Sequence, residues 1–438
     1  MEGNRKKIVV VGGGFAGLNF VKHIDAEKFD VTLIDRHNYH SFPPLFYQVA
    51  SSGLDPASIC FPLRRELRKR HGNRVTYNMG EVTEIDIARR TVKATRGTID
   101  YDYLILAAGT TNNFFNMPQL ADRVFTIKST PEALRCRNEV LSLLERAAIE
   151  PDAAKRRRLL SFVVIGGGPS GVEIAGALGE MKKYVLPREY PTIAPEEITI
   201  TLVEGTDKVL GTMSADSSTA AAKSLRDLMV DLRFGAFMAS YEGNTIRLSD
   251  GSELPASMVI WTAGVKAEGF NFVSAGLPLD REVTAHAGRF PTDRFCRVEG
   301  LDGVFALGDI SLVNGDPDYP KGHPQLAQVA IQQGRLVAAN LNRDSEDSGK
   351  WKQFKYNDKG SMATIGRNRA VVDLKHLRFH GFSAWLVWMF IHLISILGMR
   401  NKIAVLVNWI WAYFNYSTSL RLLIGPAKKP GRDPIEFS

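Results

Sequence analysis

The 438-residue sequence has only three cysteines, Cys60, Cys136 and Cys296, and they stand far apart. No C-x-x-C or C-x4-C pair exists. That excludes a disulfide framework, a cysteine zinc site and a redox dithiol made from neighbouring residues, and it fits a reducing compartment. No calcium loop of the D-x-D-x-D-G kind is present either, so no metal site is expected. The N-terminus enters its first apolar strand almost at once, without the apolar segment of a secretory signal, so the body of the protein is not expected to be exported. Acidic residues are scarce towards the C-terminus. From Trp351 to Ser438 there are thirteen Lys/Arg against four Asp/Glu, which leaves the rest of the chain near neutrality. A basic tail points to an anionic surface, either nucleic acid or membrane. Its wealth of Trp, Phe, Ile and Leu favours membrane over nucleic acid.

At this length the chain exceeds one ordinary core, and two or three domains are expected. The stretch Lys7–Asp35, KIVVVGGGFAGLNFVKHIDAEKFDVTLID, organises the first. Ile8 to Val11 has the β-branched run of a buried parallel strand. Gly12, Gly14 and Gly17 follow in G-x-G-x-x-G spacing, then a helical pattern, then a strand Phe29–Ile34 ending in Asp35. Gly12 suits the tight turn, Gly14 close approach of the backbone to a pyrophosphate, and Gly17 close helix–strand packing. The helix N-terminus offers free N–H groups to phosphate, and Asp35 stands where ribose hydroxyls belong. Strand, glycines, helix, strand and acid in this order form a strong dinucleotide-binding signature.

The loop after Asp35, with Pro43, Pro44 and many aromatics, either packs on itself or lies along a bound flavin or its substrate. Arg64, Arg65, Arg68, Lys69 and Arg70 suggest a solvated helix face. Tyr103–Thr110 reads YLILAAGT, and the small residues at Ala108 and Gly109 let a flat or phosphorylated group approach the strand end. A helix is expected from Ser129 to Ile149, with Thr130 as N-cap and Pro131 at its first position. A second signature begins at Leu160–Ile165: glycines Gly166, Gly168 and Gly171, a helix Val172–Lys183, a proline-rich insertion Tyr184–Glu197, and a strand ending in Glu204. Two copies of one unit imply two dinucleotides meeting face to face. The terminal acid Glu204 favours NAD over NADP, because it repels a 2′-phosphate.

A hairpin is expected at Glu242-Gly243-Asn244. Met258–Val265, MVIWTAGV, is another strand ending in small residues, Ala263 and Gly264. Gly303–Asp309, GVFALGD, places Asp309 at a strand end, either as a ligand to sugar or ribityl hydroxyls or as a helix N-cap. The helical stretch Pro324–Asn340 carries Gln325, Gln328 and Gln332 on one face, as a polar site or as plain solvent exposure. Phe382–Met399 is an almost wholly apolar run of eighteen residues, at the lower limit for crossing a bilayer. Ile403–Tyr416 is a second apolar stretch. Trp385, Trp388, His392 and Ser395 fall on one stripe, and Trp and Tyr suit the water–lipid boundary. Two interfacial helices are expected; a buried dimer interface is the alternative. Deleting Phe382–Ser438 is expected to leave the nucleotide units folded, since their motifs lie upstream.

Together these motifs resemble the type II (alternative, non-proton-pumping) NADH:quinone oxidoreductase family, from about Lys7 to Tyr416. The resemblance implies an α/β two-dinucleotide-binding flavoprotein fold: two Rossmann-like domains plus C-terminal amphipathic membrane-associating helices. Residues 1–115 and 290–345 would bind FAD, 116–289 NADH, and 346–438 would anchor to membrane. FAD would meet the first loop, Asp35, the Asn38–Leu45 segment, Ala107–Thr110 and Gly308-Asp309. NADH would meet Gly166 to Glu173, with Glu173 near nicotinamide and quinone as a candidate acid, or else a first-turn glutamate favoured by the helix dipole. Ala327, Gln328 and Gln332 match the quinone-side A-Q-x-A-x-Q motif, and Ile331 stands where some relatives carry histidine. Gly381–Leu393 matches the membrane-attached region. The implied activity passes hydride from NADH to FAD and two electrons on to a membrane quinone without proton pumping. The expected setting is the cytoplasmic face of the cell inner membrane, as a peripheral homodimer. The competing reading is an NADH-dependent reductase of a soluble acceptor or protein partner, docked by its apolar tail. Disulfide reductases and sulfide:quinone oxidoreductases of related fold use cysteine pairs, here possible only if Cys60 and Cys296 meet in space.

Overall fold

The strand Lys6–Val11 occupies the centre of a five-stranded parallel sheet, in the order 304–306, 103–106, 6–11, 29–35, 75–79. Ile8 and Val10 point into one apolar core and Val9 and Val11 into another. A parallel sheet covered on both faces needs apolar residues at successive positions, which is why this strand does not alternate. The computed structural model describes residues 5–279, 282–343, 347–415 and 420–423. Helix α1, Phe15–His23, covers one face of the sheet.

The second unit repeats the plan. Ser161–Ile165 is buried throughout and lies inside a parallel sheet ordered 231–234, 199–204, 161–165, 258–261. Helix α2, Pro169–Glu180, follows its glycine loop with Pro169 at the first position. It does not stop near Lys183. A π-turn, Met181–Val185, carries it on to Leu186–Glu189. Such widened turns frequently occur at functional sites, and Met181 and Val185 line the cleft described below.

The Thr130–Ala148 helix starts one residue earlier than its first threonine suggests. Ser129 is the N-cap, in extended conformation, and Glu132 closes a capping box with it; Thr130 is already helical. The pattern is S-x-x-E, so the reciprocal bonds select Ser129. The hairpin at Glu242-Gly243-Asn244 joins Met238–Glu242 to Thr245–Leu248 as expected.

Two short strands within 116–289 pair with strands of residues 1–115. Val265–Ala267 pairs with Thr110–Asn112, and Phe272–Ser274 adds in parallel to Val82–Asp86 of the first unit. Short strands carry weak sequence signals, so the return was not legible. Helix α3, Ala327–Arg343, then crosses α1 so closely that a Cβ on Gly334 would lie 2.4 Å from the Ala16 carbonyl oxygen.

A three-stranded antiparallel sheet, 361–364, 370–373 and 378–381, packs on the second unit. The apolar run then breaks. Helix α4 spans Phe382–Ser395 and helix α5 Met399–Asn415, with a turn at 396–398. Among the described residues no helix is long and apolar enough to cross a membrane. The tryptophan stripe faces inward, not to a lipid boundary: Trp388 is 1% exposed and stacks on His392 at 4.0 Å between ring centres. Phe382, Leu386, Phe390 and Ile394 occupy the outer face instead. Ala384, Trp388, Ile396 and Val405 belong to the main apolar core, so deleting Phe382–Ser438 would strip core residues as well as the outer face. Tyr416 and the basic residues Lys428, Lys429 and Arg432 lie outside the described residues.

Candidate active site

The two glycine loops have the same geometry. Gly14 and Gly168 cap α1 and α2, and nothing stands within 4 Å of where a Cβ on either would lie. Each helix therefore begins on an open backbone face, as a pyrophosphate cradle requires. Gly17 and Gly171 are the opposite case: a Cβ there would lie 1.9 and 1.8 Å from the carbonyl oxygens of Gly12 and Gly166. The strand-end acids brace the loops. Asp35 accepts from the Gly13 N–H at 2.6 Å and the His37 N–H at 2.7 Å. Glu204 accepts from Gly167 N–H at 2.6 Å and Thr206 N–H at 2.8 Å. The middle glycines, Gly13 and Gly167, were not singled out in the sequence, yet their amides fix the acids. Burial raises the Asp35 carboxyl above its ordinary range, while the Gly13 and His37 amides pull it down.

Ala108 and Gly109 form the turn between the strands 103–106 and 110–112, and Ala263 and Gly264 the matching turn between 258–261 and 265–267. A Cβ on Gly12 would lie 2.9 Å from the Cα of Ala108, and one on Gly166 would lie 2.9 Å from that of Ala263. The small residues therefore abut the loops in both units.

Asp309 lies in a one-turn helix, Gly308–Ile310. The next long helix, α3, starts at Ala327, so Asp309 is not its cap. Burial raises its carboxyl, opposed by the Lys128 and Arg289 charges and a hydrogen bond to Thr110. Lys128 also donates to Thr110 Oγ1 at 2.8 Å. Gln325 precedes α3 and donates to the Asp309 carbonyl at 2.9 Å. Gln333, 1% exposed, accepts from Gly308 N–H at 2.6 Å. Its position beside Gln332 hid it, since it faces the other side of the helix.

Ala327 opens α3. Gln328 and Gln332 hold the segment that leads into the C-terminal sheet. Gln328 donates to Gly360 O at 2.9 Å and accepts from Lys359 N–H at 3.1 Å. Gln332 donates to Asn357 O at 3.0 Å and accepts from Asn357 N–H at 2.9 Å. Both amides are thus satisfied by backbone.

Glu173 lies beyond the first turn of α2, which holds no acid, so a first-turn dipole role does not apply. Its side chain is buried; desolvation outweighs the lowering pull of the Thr364 amide and pushes the carboxyl up to about 8. Thr364 lines an open cleft of ≈ 880 Å³, counting the space at its mouth, with Tyr47, Gln48, Glu180, Trp388, Met389 and Trp409. Gln48 donates to the Tyr47 hydroxyl at 2.6 Å, and the Trp409 indole N–H donates to Gln48 at 2.8 Å. Glu180, two turns along the same face of α2 from Glu173, pairs with Arg367 at 3.4 Å, and Arg367 donates to the Tyr413 carbonyl on α5 at 2.7 Å. The cysteines are free: Cys60 contacts Thr130 at 3.3 Å, and Cys296 is buried in a separate core.

A family model described as pyridine nucleotide-disulphide oxidoreductase matches residues 6–334, and one described as NDH2 C-terminal domain matches residues 359–415. A type II NADH:quinone oxidoreductase of Mycobacterium tuberculosis is 35% identical over 93% of this chain and 87% of its own. The chain belongs to the type II NADH:quinone oxidoreductases. A second such enzyme of Mycobacterium tuberculosis is 34% identical over 92% of this chain and 87% of its own. The solved structure of NDH2 from Plasmodium falciparum in complex with NADH superposes with TM-score 0.88, covering 96% of this chain and all of that one at 21% identity, and so supports the fold.

For a type II NADH:quinone oxidoreductase, the sequence reading missed the cleft residues Tyr47, Gln48, Thr364 and Trp409. The aromatic density after Asp35 was the available signal for the first two. Thr364 and Trp409 had none, because they reach the cleft from a sheet and a helix about 190 and 235 residues beyond Glu173.

Proposed function

We propose that this chain works as a respiratory NADH dehydrogenase that oxidises NADH and reduces a membrane quinone through FAD, without pumping protons. The observation that carries it is the aromatic cleft walled by α2, α4 and α5, with the buried Glu173 carboxyl, which desolvation raises to about 8, behind it on α2. FAD, when bound, supplies the two-electron chemistry between nicotinamide and quinone. Its pyrophosphate would lie on the open Gly14 face, with Asp35 towards the ribose and Ala108, Gly109 and Asp309 beside the flavin part. The NADH pyrophosphate would lie on the Gly168 face. Glu204 would accept from the ribose hydroxyls and repel a 2′-phosphate, favouring NADH over NADPH. Ala263 and Gly264 keep that loop's floor low.

Quinone reduction consumes protons as well as electrons. Glu173 is the group placed to give one, since a general acid works best with a pKa near the working pH. Gln328 and Gln332 act as positioning residues, fixing the segment that leads to Thr364 and through it to Glu173.

The outer faces of α4 and α5 lie on the lipid surface, where they bury apolar area while Arg400 and Lys402 meet anionic headgroups. The location we assign is the cytoplasmic face of the cell inner membrane. We extend the proposal to a symmetric homodimer, a common outcome for so apolar a terminal region; light scattering in detergent tests it.

Anaerobic stopped-flow absorbance tests the central reading. NADH should bleach the bound flavin, and added quinone should restore its colour within a turnover time. Reoxidation that requires an added protein would replace the quinone reading with the partner-reductase one.

A further inference from the structure

We propose that Tyr47 is a hydrogen-bond donor to the quinone head group, and that Trp409 on α5 sets the direction of that donor through Gln48. The proposal rests on the quinone reading of the cleft. Its basis is the polarity of a three-member chain. An indole N–H donates and cannot accept. The Gln48 atom 2.8 Å from Trp409 Nε1 is therefore the carbonyl oxygen. The amide nitrogen is then the atom 2.6 Å from the Tyr47 oxygen. That nitrogen only donates, so Tyr47 accepts from it and its own O–H must point elsewhere.

Tyr47 is buried, and among the described residues Gln48 is the hydrogen-bond partner its hydroxyl has. A buried hydroxyl proton without an acceptor is costly. The nearest acids are Glu173 and Glu180, and among the described residues neither is a hydrogen-bond partner of this hydroxyl. Glu180 pairs instead with Arg367 at 3.4 Å. The Tyr47 ring is fixed edge-on to Trp388, with centres 6.3 Å apart. The remaining acceptor is a ligand in the cleft. Walls of Trp388, Met389 and Trp409 suit a flat ring, and a quinone presents a carbonyl oxygen at its edge. Tyr47 keeps its proton, since burial pushes its ionisation well above the ordinary phenol range. It orients and polarises the carbonyl, and proton delivery stays with Glu173.

The chain also ties lipid docking to the site. Trp409 sits on α5, whose outer face is exposed and apolar at Ile403, Val407 and Ile410. The same helix is pinned to the strand Cys60–Pro62, where Asn401 donates to the Cys60 carbonyl at 2.9 Å. Seating α5 therefore seats the Gln48 amide.

The test uses the full-length, FAD-loaded enzyme in detergent and a short-chain ubiquinone, with reoxidation followed by stopped-flow. Tyr47→Phe should slow reoxidation about tenfold, as loss of one such bond does, and more than it slows reduction by NADH. Trp409→Phe should slow it in the same step, and the double variant should be no slower than Tyr47→Phe alone. Gln48→Glu probes polarity without removing volume: a carboxylate there accepts from both neighbours, turns the Tyr47 O–H away from the cleft and should reproduce the loss. Trp409→His, which keeps a ring N–H, should recover part of the rate. Wild-type reoxidation of Tyr47→Phe, or losses that multiply in the double variant, would overturn the relay. If the unaltered enzyme is not reoxidised by quinone at all, the functional reading fails instead.

Discussion

The Thr364 backbone amide pulls down the buried Glu173 carboxyl that desolvation pushes up, so the acid of the second nucleotide unit feels the C-terminal sheet. This packing brings the C-terminal region to an acid almost two hundred residues upstream.

Glu173 should impose a pH dependence. Its carboxyl is raised from 4.5 to about 8 by desolvation. It is protonated below that value, so quinone reduction limited by proton supply should fall as pH rises through about 8. Glu173→Gln should lower the rate and flatten this limb, as measured by steady-state turnover between pH 6 and 9. Stability follows the same group. Between 4.5 and 8 the folded state keeps a proton that the unfolded state has lost, so the wild type loses stability with rising pH across that window. The Tm of Glu173→Gln relative to wild type should therefore climb from pH 5 to 8 and level off above. A constant difference would place the carboxyl in water.

The glycines separate binding from folding. Gly14→Ala meets no protein atom, so the apoprotein should keep its Tm while FAD content falls. Gly17→Ala drives a Cβ to within 1.9 Å of the Gly12 carbonyl oxygen and should destabilise the fold by several kcal/mol, on the order of severe overpacking. In the second unit Gly168→Ala should raise the KM for NADH with FAD retained, and Gly171→Ala should impair folding. FAD absorbance and differential scanning calorimetry on the four variants distinguish the cases.

Gln328 and Gln332 each satisfy backbone groups of residues 357–360. Replacing either by Ala hands those largely exposed groups to water, at a cost of about 0.5–1.5 kcal/mol. Tm should fall, and reoxidation by quinone should slow more than flavin reduction by NADH, because the loosened segment leads to Thr364. A loss confined to the NADH half would remove their positioning role.

Membrane binding should depend on the outer faces of α4 and α5. The double variant Phe390→Asp/Ile394→Asp should release the enzyme from anionic vesicles while FAD and Tm are retained, because both side chains are exposed. Trp388→Ala should behave differently, costing about 3–5 kcal/mol of stability as a buried aromatic. High salt should weaken vesicle binding, since each nearby Lys or Arg contributes about 1 kcal/mol that ions screen, and detergent should complete the release. Flotation assays give both readouts. Retention of the Asp double variant on vesicles would assign that face to a protein interface.

The two glycine loops, their strands and their terminal acids were legible in the sequence because local chemistry dictates them. A tight turn, an open helix N-terminus and a close helix–strand contact each demand glycine, and buried parallel strands demand β-branched runs. Asp35, Glu204 and the turns at Ala108-Gly109 and Ala263-Gly264 follow from the same short-range rules. The tertiary structure decided the rest. Periodicity gathered Trp385, Trp388 and His392 on one stripe of α4, but a stripe has no label saying whether it meets lipid or core, and packing turned it inward. The return of the chain at Val265–Ser274 depends on pairing with strands some 160 to 190 residues earlier. The cleft is set by the same kind of distance: Tyr47, Glu180, Thr364 and Trp409 come from four separate elements. Desolvation of Glu173 exists only once those elements have closed around it, because the dielectric around a carboxyl belongs to the packed fold and not to the residues beside it in the chain.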